Sequence, residues 1–269
     1  GERIDEVRFH PAWHMMMAMA RRNGNANLPM FDARPSAWSA FGPSLYMHAQ
    51  IESGSCCPTP MTKARVPLLR SNAALWAVLE PRLASTEYDA RDVPIADKRS
   101  IYVGMVMTER QGGSDLRTNT TQAATHGSGA WGDEVLINGH KWFFSAPMCD
   151  GHLVLARHPE DGQTCYFVPR WRPDGSKNGV HIRRLKDKVG NRSNSSSEVD
   201  FQDAWGVRVG EAGRGIVTII GMANHTRLDC ALASAGFMRQ GFAQALHHAR
   251  NRQAFGKLLA EQPVMTAVL

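Results

Sequence analysis

The hydrophobic period of this chain changes twice, and the two changes divide it into three parts. From about residue 10 to 98, apolar residues recur in helical runs such as VPLLRSNAALWAVL at 66–79, with a proline-bearing break at CCPTP. From Ile101 the texture turns to short β-type runs: IYVGMVM, VLINGHKWFF, HLVLA, TCYFVP, VHIRR and EVDF. Turn signals separate them, at Asn138-Gly139, at PEDG from Pro159 and at PDG from Pro173. This spacing suggests a small antiparallel barrel or sandwich. After Gly210 and Gly213 the helical period returns, and the stretch from Ile216 to about Asn251 has room for one helix of roughly 50 Å if unbroken. Small residues at Ala231, Ala233, Ser234, Ala235 and Gly236 would let a second helix approach it closely.

Helices, then a β-module, then helices is not the alternating order of a nucleotide-binding α/β fold. No GxGxxG follows a strand, and the Gly256-Lys257 pair is not a P-loop, because Leu258 follows it and Asn251 holds the first glycine position. HExxH and G-x-S-x-G are missing, and the eleven histidines fall singly or as His247-His248, so neither a metal site nor a protein nucleophile is expected. With 43% hydrophobic residues in 269, the chain can bury one large core or two smaller ones. No apolar run approaches the roughly 18–20 residues of a membrane span. The MMMAM stretch at 15–19 precedes Arg21 and Arg22, the wrong order for a secretory signal, and reads as helix core. Five cysteines without a C-x-x-C pair fit reduced thiols and a cytoplasmic protein. The chain opens on Gly1 and stops at Leu269 inside an amphipathic pattern, which reads as part of something longer.

The net charge of +6 is unevenly placed. Eight Lys or Arg residues lie between Arg170 and Arg192, against Asp174 and Asp187 alone, and the rest of the chain is neutral. A solvated strand face and a surface for a phosphate-bearing ligand or nucleic acid both fit this stretch. The run MTERQGGSD at 107–115 is equally two-sided on local grounds: its glycine pair either turns the chain or forms a concave nest of backbone N–H groups for an anion.

That run, however, resembles the first signature of the acyl-CoA dehydrogenases. INGHKWFFS at 137–145, RLKDKVGNRSNSS at 184–196 and RQAFGKLLAEQ at 252–262 resemble further family segments in the family's order, the last being its R-x-x-F-G helix motif. ESGSCCPTPMT at 52–62, KWFFSAP at 141–147 and TRLDCALAS at 226–234 look like the AidB-like branch. The resemblance covers nearly the whole chain. It implies an α+β multidomain fold: an all-α domain over 1–98, a central antiparallel β-barrel over 99–209, and the first helices of a C-terminal helical bundle over 210–269.

The resemblance also implies a chemistry. The family binds FAD non-covalently and oxidises an acyl-CoA thioester to the trans-2-enoyl form, a carboxylate removing the α-proton while the β-hydrogen leaves as hydride. In this reading Met107 and Thr108 contact the flavin ring, and Gly113 and Ser114 the pyrophosphate, with Ser114 also bordering the substrate. Phe143 stands where relatives often carry a Trp against the flavin, and Ser145 where they carry a Thr. Arg252 and Phe255 reach the FAD of a neighbouring subunit, which implies a homo-oligomer, usually a tetramer. Arg227 matches the family Arg near the thioester. The base that isovaleryl-type relatives carry just before that Arg is Thr226 here. Many relatives carry it instead on the terminal bundle, outside these residues. Asp229, three residues on from Thr226, is a candidate base if the helix is rotated, and otherwise a capping or salt-bridged acid. AidB-like proteins are associated with double-stranded DNA, so a DNA-binding flavoprotein with weak or no dehydrogenase activity stands beside the dehydrogenase.

Overall fold

The computed structural model describes residues 3–269. Proline and asparagine set the helix starts of the first part. Pro11 opens α1 (Pro11–Arg22), and Pro58 opens α4 (Pro58–Leu69) at a position where a missing N–H costs nothing. Asn72 caps α5 (Ala73–Ala84) by accepting a hydrogen bond from Leu75 N at 3.0 Å, which splits the 66–79 run into two helices. The short α2 (Leu28–Phe31) and the longer α3 (Ser36–Ala49) complete this layer.

The middle part is a barrel. Its strands are β1 (Val103–Val106), β2 (Gln122–Gly129), β3 (Gly132–Phe144), β4 (Gly151–His158), β5 (Gly162–Pro169), β6 (Val180–Leu185) and β7 (Ser197–Arg208). Strands β2, β3, β7, β5 and β4 pair in that order, and β2 returns to β4 at Gln122–Arg157, closing the ring. Pairing is antiparallel except at that junction and between β1 and β4, which run parallel from Val103–Gly151 to Val106–Val154. PEDG forms the β4–β5 turn as expected.

Asn138-Gly139 does not turn the chain. It is a bulge within β3, where the register against β7 shifts. Asn138 is held there by Asp203, donating to its carboxylate at 2.7 Å and accepting from its N–H at 2.9 Å. A Cβ on Gly139 would stand 2.7 Å from Thr121 Cα, so only glycine fits the approach.

Strand β4 is buried on both faces. Val154 and Ala156 point into the barrel with Val135, Ile137, Phe144, Val199 and Phe201. Leu153 and Leu155 face outward onto Leu75, Leu79, Trp205 and Ile219. A third cluster of Trp13, Met17, Met61, Tyr102, Ala146 and Cys149 joins α1 and α4 to the barrel.

The long C-terminal helix breaks once. The helix α6 (Gly215–Gly221) ends at Met222, and α7 (Ala223–Asn251) runs on for 29 residues, about 44 Å. The break follows from two seats: α6 lies on β4 and β5, whereas α7 crosses α3 and α4. A Cβ on Gly215 would stand 2.7 Å from Cys165 N, so α6 sits directly on the β5 backbone. The chain ends in the hairpin of β8 (Gln253–Ala254) and β9 (Lys257–Leu258), followed by α8 (Pro263–Val268).

Candidate functional site

The loop after β1 is built around one buried carboxylate. Glu109 accepts from Thr120 N (2.6 Å), Thr120 Oγ1 (2.9 Å), Thr121 N (3.0 Å), Thr121 Oγ1 (2.6 Å) and Lys141 Nζ (2.8 Å). Burial alone would raise its pKa, but the Lys141 ammonium and the donors outweigh it and hold the carboxyl down to about 2. Glu109 thereby ties both ends of the 107–121 loop to β3. Trp142 N donates to Thr108 O at 3.0 Å, and Asn119 Nδ2 to Met107 O at 2.7 Å.

On this base the glycine pair makes a tight turn. Gly112 N donates to Glu109 O at 3.1 Å, and Gly112 takes φ +133° with open space where a side chain would be. A Cβ on Gly113 would meet Thr108 Oγ1 at 2.7 Å, so Gly113 lies against that hydroxyl. Gly113 and Ser114 are both exposed. Turn and nest are therefore not exclusive here: the turn presents the loop's open side.

Beside the loop, the end of β3 presents a half-exposed Phe143 ring, while its neighbour Phe144 is fully buried in the barrel. Ser145 follows, beside the Cys57 thiol, which burial pushes up in pKa against the opposing pull of Ser145 and Arg65. Cys57 in turn lines a cavity of about 620 Å³ between the start of α4 and one face of α7. Met61, Thr226, Asp229, Cys230, Ala233 and Phe237 form its opposing walls. The α7 residues recur at helical spacing, as one face must. Loop 186–194 closes the rim, where Ser193 Oγ donates to Glu52 and Ser53 Oγ to Asn191 Oδ1 at 3.0 Å.

The structure thus gathers Met107, Thr108, Gly113, Ser114, Phe143 and Ser145 on one side of the barrel. It sets the other predicted residues elsewhere. Arg227 lies outside that cavity wall, exposed, and donates to Asn224 Oδ1 at 3.2 Å. Asp229 lies in the wall, salt-bridged to Lys63 at 2.5 Å with both side chains buried. The R-x-x-F-G motif is not helical: Arg252 caps α7, and Phe255 and Gly256 occupy the β8–β9 turn. Both have positive φ, +55° and +75°, as a two-residue type I′ turn requires.

The basic stretch is answered by acids from outside it. Asp92 pairs with Arg170 and Lys177, Asp200 with Arg183, and Glu198 with Arg184 and Lys186. It makes no unbroken positive face. Among the described residues, no group of three or more His, Cys, Asp or Glu could hold a metal, and no helix is long and apolar enough to cross a membrane.

Sequence comparison bears on the same regions. The adaptive response protein AidB N-terminal domain matches residues 1–90, the acyl-CoA dehydrogenase middle domain 104–204, and the acyl-CoA dehydrogenase C-terminal domain 213–269. The chain belongs to the acyl-CoA dehydrogenase family. Within it the resemblance is AidB-like: the Escherichia coli (strain K12) protein AidB is 47% identical over 271 residues, covering 100% of this chain and 49% of that protein. The solved apo-form of Bd2924 superposes with a TM-score of 0.87 at 28% identity, over 100% of this chain and 53% of its own. Caenorhabditis elegans ACDH-11, solved in complex with C11-CoA, superposes with a TM-score of 0.86 at 26% identity, over 99% of this chain and 46% of its own. This acyl-CoA dehydrogenase family chain spans about half the length of the relatives it matches.

Proposed function

We propose that this chain forms the flavin- and thioester-binding part of an FAD-dependent acyl-CoA dehydrogenase. The observation that carries the proposal is continuity. The 107–115 loop is bonded to the end of β3, Ser145 at that end lies beside Cys57, and Cys57 lines the cavity between α4 and α7. A redox group on the loop and an acyl chain in the cavity would lie next to one another.

The residues fit a flat, anion-bearing cofactor. Phe143 leaves an apolar ring 46% exposed at the edge of an otherwise well-filled barrel, which suits a stacked partner. The open side of Gly112 admits an approaching group without steric cost. Thr108 and Ser145 would orient the ring through their hydroxyls, and Gly113 and Ser114 would take the pyrophosphate. Bound there, FAD supplies the acceptor for the β-hydrogen of the substrate. The cavity walls, Met61, Ala233 and Phe237, would hold the acyl chain and exclude water. Asp229, engaged by Lys63, is better suited to binding than to removing the α-proton. Arg252 and the exposed Phe255 would meet a neighbouring subunit, consistent with a homo-oligomer. The five free thiols fit a reducing compartment such as the cytoplasm.

The test is the visible spectrum of the purified full-length protein, kept anaerobic, before and after addition of a short branched acyl-CoA. Bleaching of an oxidised-flavin band at near-stoichiometric substrate is the expected result. A flavin band that no acyl-CoA bleaches would overturn the dehydrogenase reading.

A further inference from the structure

A second cavity, of about 470 Å³, lies under the N-terminal segment and shares no lining residue with the cavity between α4 and α7. Residues 6–9 roof it, α1 forms one wall, and the segments around Tyr88 and Met148 form the others. The roof is pinned rather than loose. Asp5 accepts from Ile182 N at 2.7 Å and pairs with His181 at 3.1 Å, Arg170 Nη2 donates to Asp5 O at 3.1 Å, and Val7 N donates to Met148 Sδ at 3.3 Å. Rings make up much of the interior. Phe9 stacks on Trp13 with centroids 4.6 Å apart and 7° between planes, and Tyr88 meets Tyr102 edge-on at 6.2 Å. Met17 and Met148 add polarisable sulfur. A cavity of this size with such walls suits a flat aromatic guest.

The charges around the cavity are already answered. Asp89 pairs with Arg91 at 2.6 Å, Asp150 with Lys98 at 2.9 Å, and Asp92 with Arg170 and Lys177 at 2.8 and 3.0 Å. The other two charged lining residues, Glu6 and Arg8, are exposed on the roof and opposite in sign. A charged guest would therefore lose hydration without meeting a net counter-charge. One polar pair stands apart from these. His14 Nδ1 and Tyr88 Oη are 2.7 Å apart, and both residues line the cavity and are only half-buried. His14 Nε2 makes no hydrogen bond within the described residues, and it is not sealed off from contact. That nitrogen donates in one tautomer and accepts in the other, and a phenolic hydroxyl can answer either. We propose that this cavity binds an uncharged aromatic molecule bearing a hydroxyl, with its ring among those of the walls and its hydroxyl on His14 Nε2. None of the residues assigned above to flavin or thioester lines this cavity, so the inference stands apart from that reading.

The experiment is calorimetric titration of the purified full-length protein with phenol and with toluene, the analogue of similar shape that lacks the hydroxyl. A purely apolar cavity favours toluene, because burying an unpaired hydroxyl is costly. Phenol is instead expected to bind roughly fivefold tighter than toluene, and benzoate and benzylamine to bind more weakly than phenol. His14→Phe keeps a ring at that place without the nitrogen and is expected to reverse the order, while its toluene binding reports an intact cavity. His14→Gln retains a donor and an acceptor and is expected to keep the advantage of phenol. Ser234→Trp, in the wall of the cavity between α4 and α7, is expected to change neither affinity, which locates the site. The inference is overturned if phenol does not bind, if toluene binds as tightly in the wild type, or if His14→Phe leaves the order unchanged. Loss of phenol binding in Ser234→Trp, or tighter binding of benzoate or benzylamine, would overturn it too. All of these outcomes leave the flavin-bleaching test to be read on its own.

Discussion

Phe143 and Phe144 are adjacent phenyl rings with opposite surroundings. Phe144 is fully buried, with ring centroids 4.3 Å from His152 and 6.1 Å from Phe201. Phe144→Ala is therefore expected to cost about 3–5 kcal/mol in urea unfolding. Phe143→Ala should change stability by only about 0.5 kcal/mol yet lower the flavin content of the purified protein. Equal losses of stability would make Phe143 a core residue and remove it from the proposed site. The sequence motif contained Glu109 as well, but nothing in it marks that residue as the loop's anchor, because its partners Thr120, Thr121 and Lys141 become neighbours only when the barrel closes. The anchor has a pH signature. Its folded pKa is depressed below the ordinary value of 4.5 to about 2, so its contribution is present above about 4.5 and is lost as pH falls toward 2. At pH 7, Glu109→Gln leaves Lys141 buried without a counter-charge and should cost about 3–5 kcal/mol. The gap between variant and wild type should narrow on acidification through that window. A gap that stays constant from pH 7 to 3 would show that Glu109 is not held as an ion.

At the scale of elements, α7 shows which small residues matter. Five of them in the 231–236 stretch looked able to admit a second helix, but only Ala233 and Gly236 are buried. A Cβ on Gly236 would stand 2.5 Å from Tyr46 O and 3.2 Å from Ala49 Cβ, so α3 and α7 touch at backbone distance there. Two effects oppose each other in Gly236→Ala. Helix propensity favours alanine by about 1 kcal/mol. Overpacking against a backbone carbonyl costs about 1–3 kcal/mol, and the helices can relieve it only by moving apart. Net destabilisation in chemical unfolding is the expected sign, and a stabilised variant would mean that α7 does not seat on α3 this closely. The three-part order of helices, barrel and helices was legible because each part keeps one hydrophobic period over many residues. Strand β2 was not legible: QAATHGSG is polar and buries only Ala123. Asn138-Gly139 misled because the same dipeptide serves a hairpin turn and a glycine bulge, and the deciding contacts with Thr121 and Asp203 are distant in sequence. The helix break at Met222 was hidden for a similar reason, since only the separate seats of α6 and α7 require it.

At the scale of the whole molecule, the chain carries apolar surface that its own core does not use. Val217, Ile220, Leu228, Met238 and Phe242 are all exposed along α6 and α7. Large apolar side chains left exposed on both helices suit an association face. Phe255 is the extreme case, 97% exposed and held at φ +55° in the β8–β9 turn. A left-handed conformation costs a non-glycine residue about 1–2 kcal/mol, and an exposed phenyl ring returns nothing for it within one chain. The same turn geometry is the one in which Asn-Gly is favoured. Phe255→Asn is thus expected to raise the folding stability of the isolated chain by up to about 1 kcal/mol. If Phe255 meets the cofactor of a neighbouring subunit, as proposed, the same variant should retain less flavin and sediment at lower mass. Analytical ultracentrifugation read at the flavin and protein bands follows both quantities in one run. A variant that gains stability and loses assembly would mean that the strain in the turn is offset only between subunits. One that gains stability and keeps both flavin and mass would show that Phe255 has no partner, and would remove it from the proposed subunit contact.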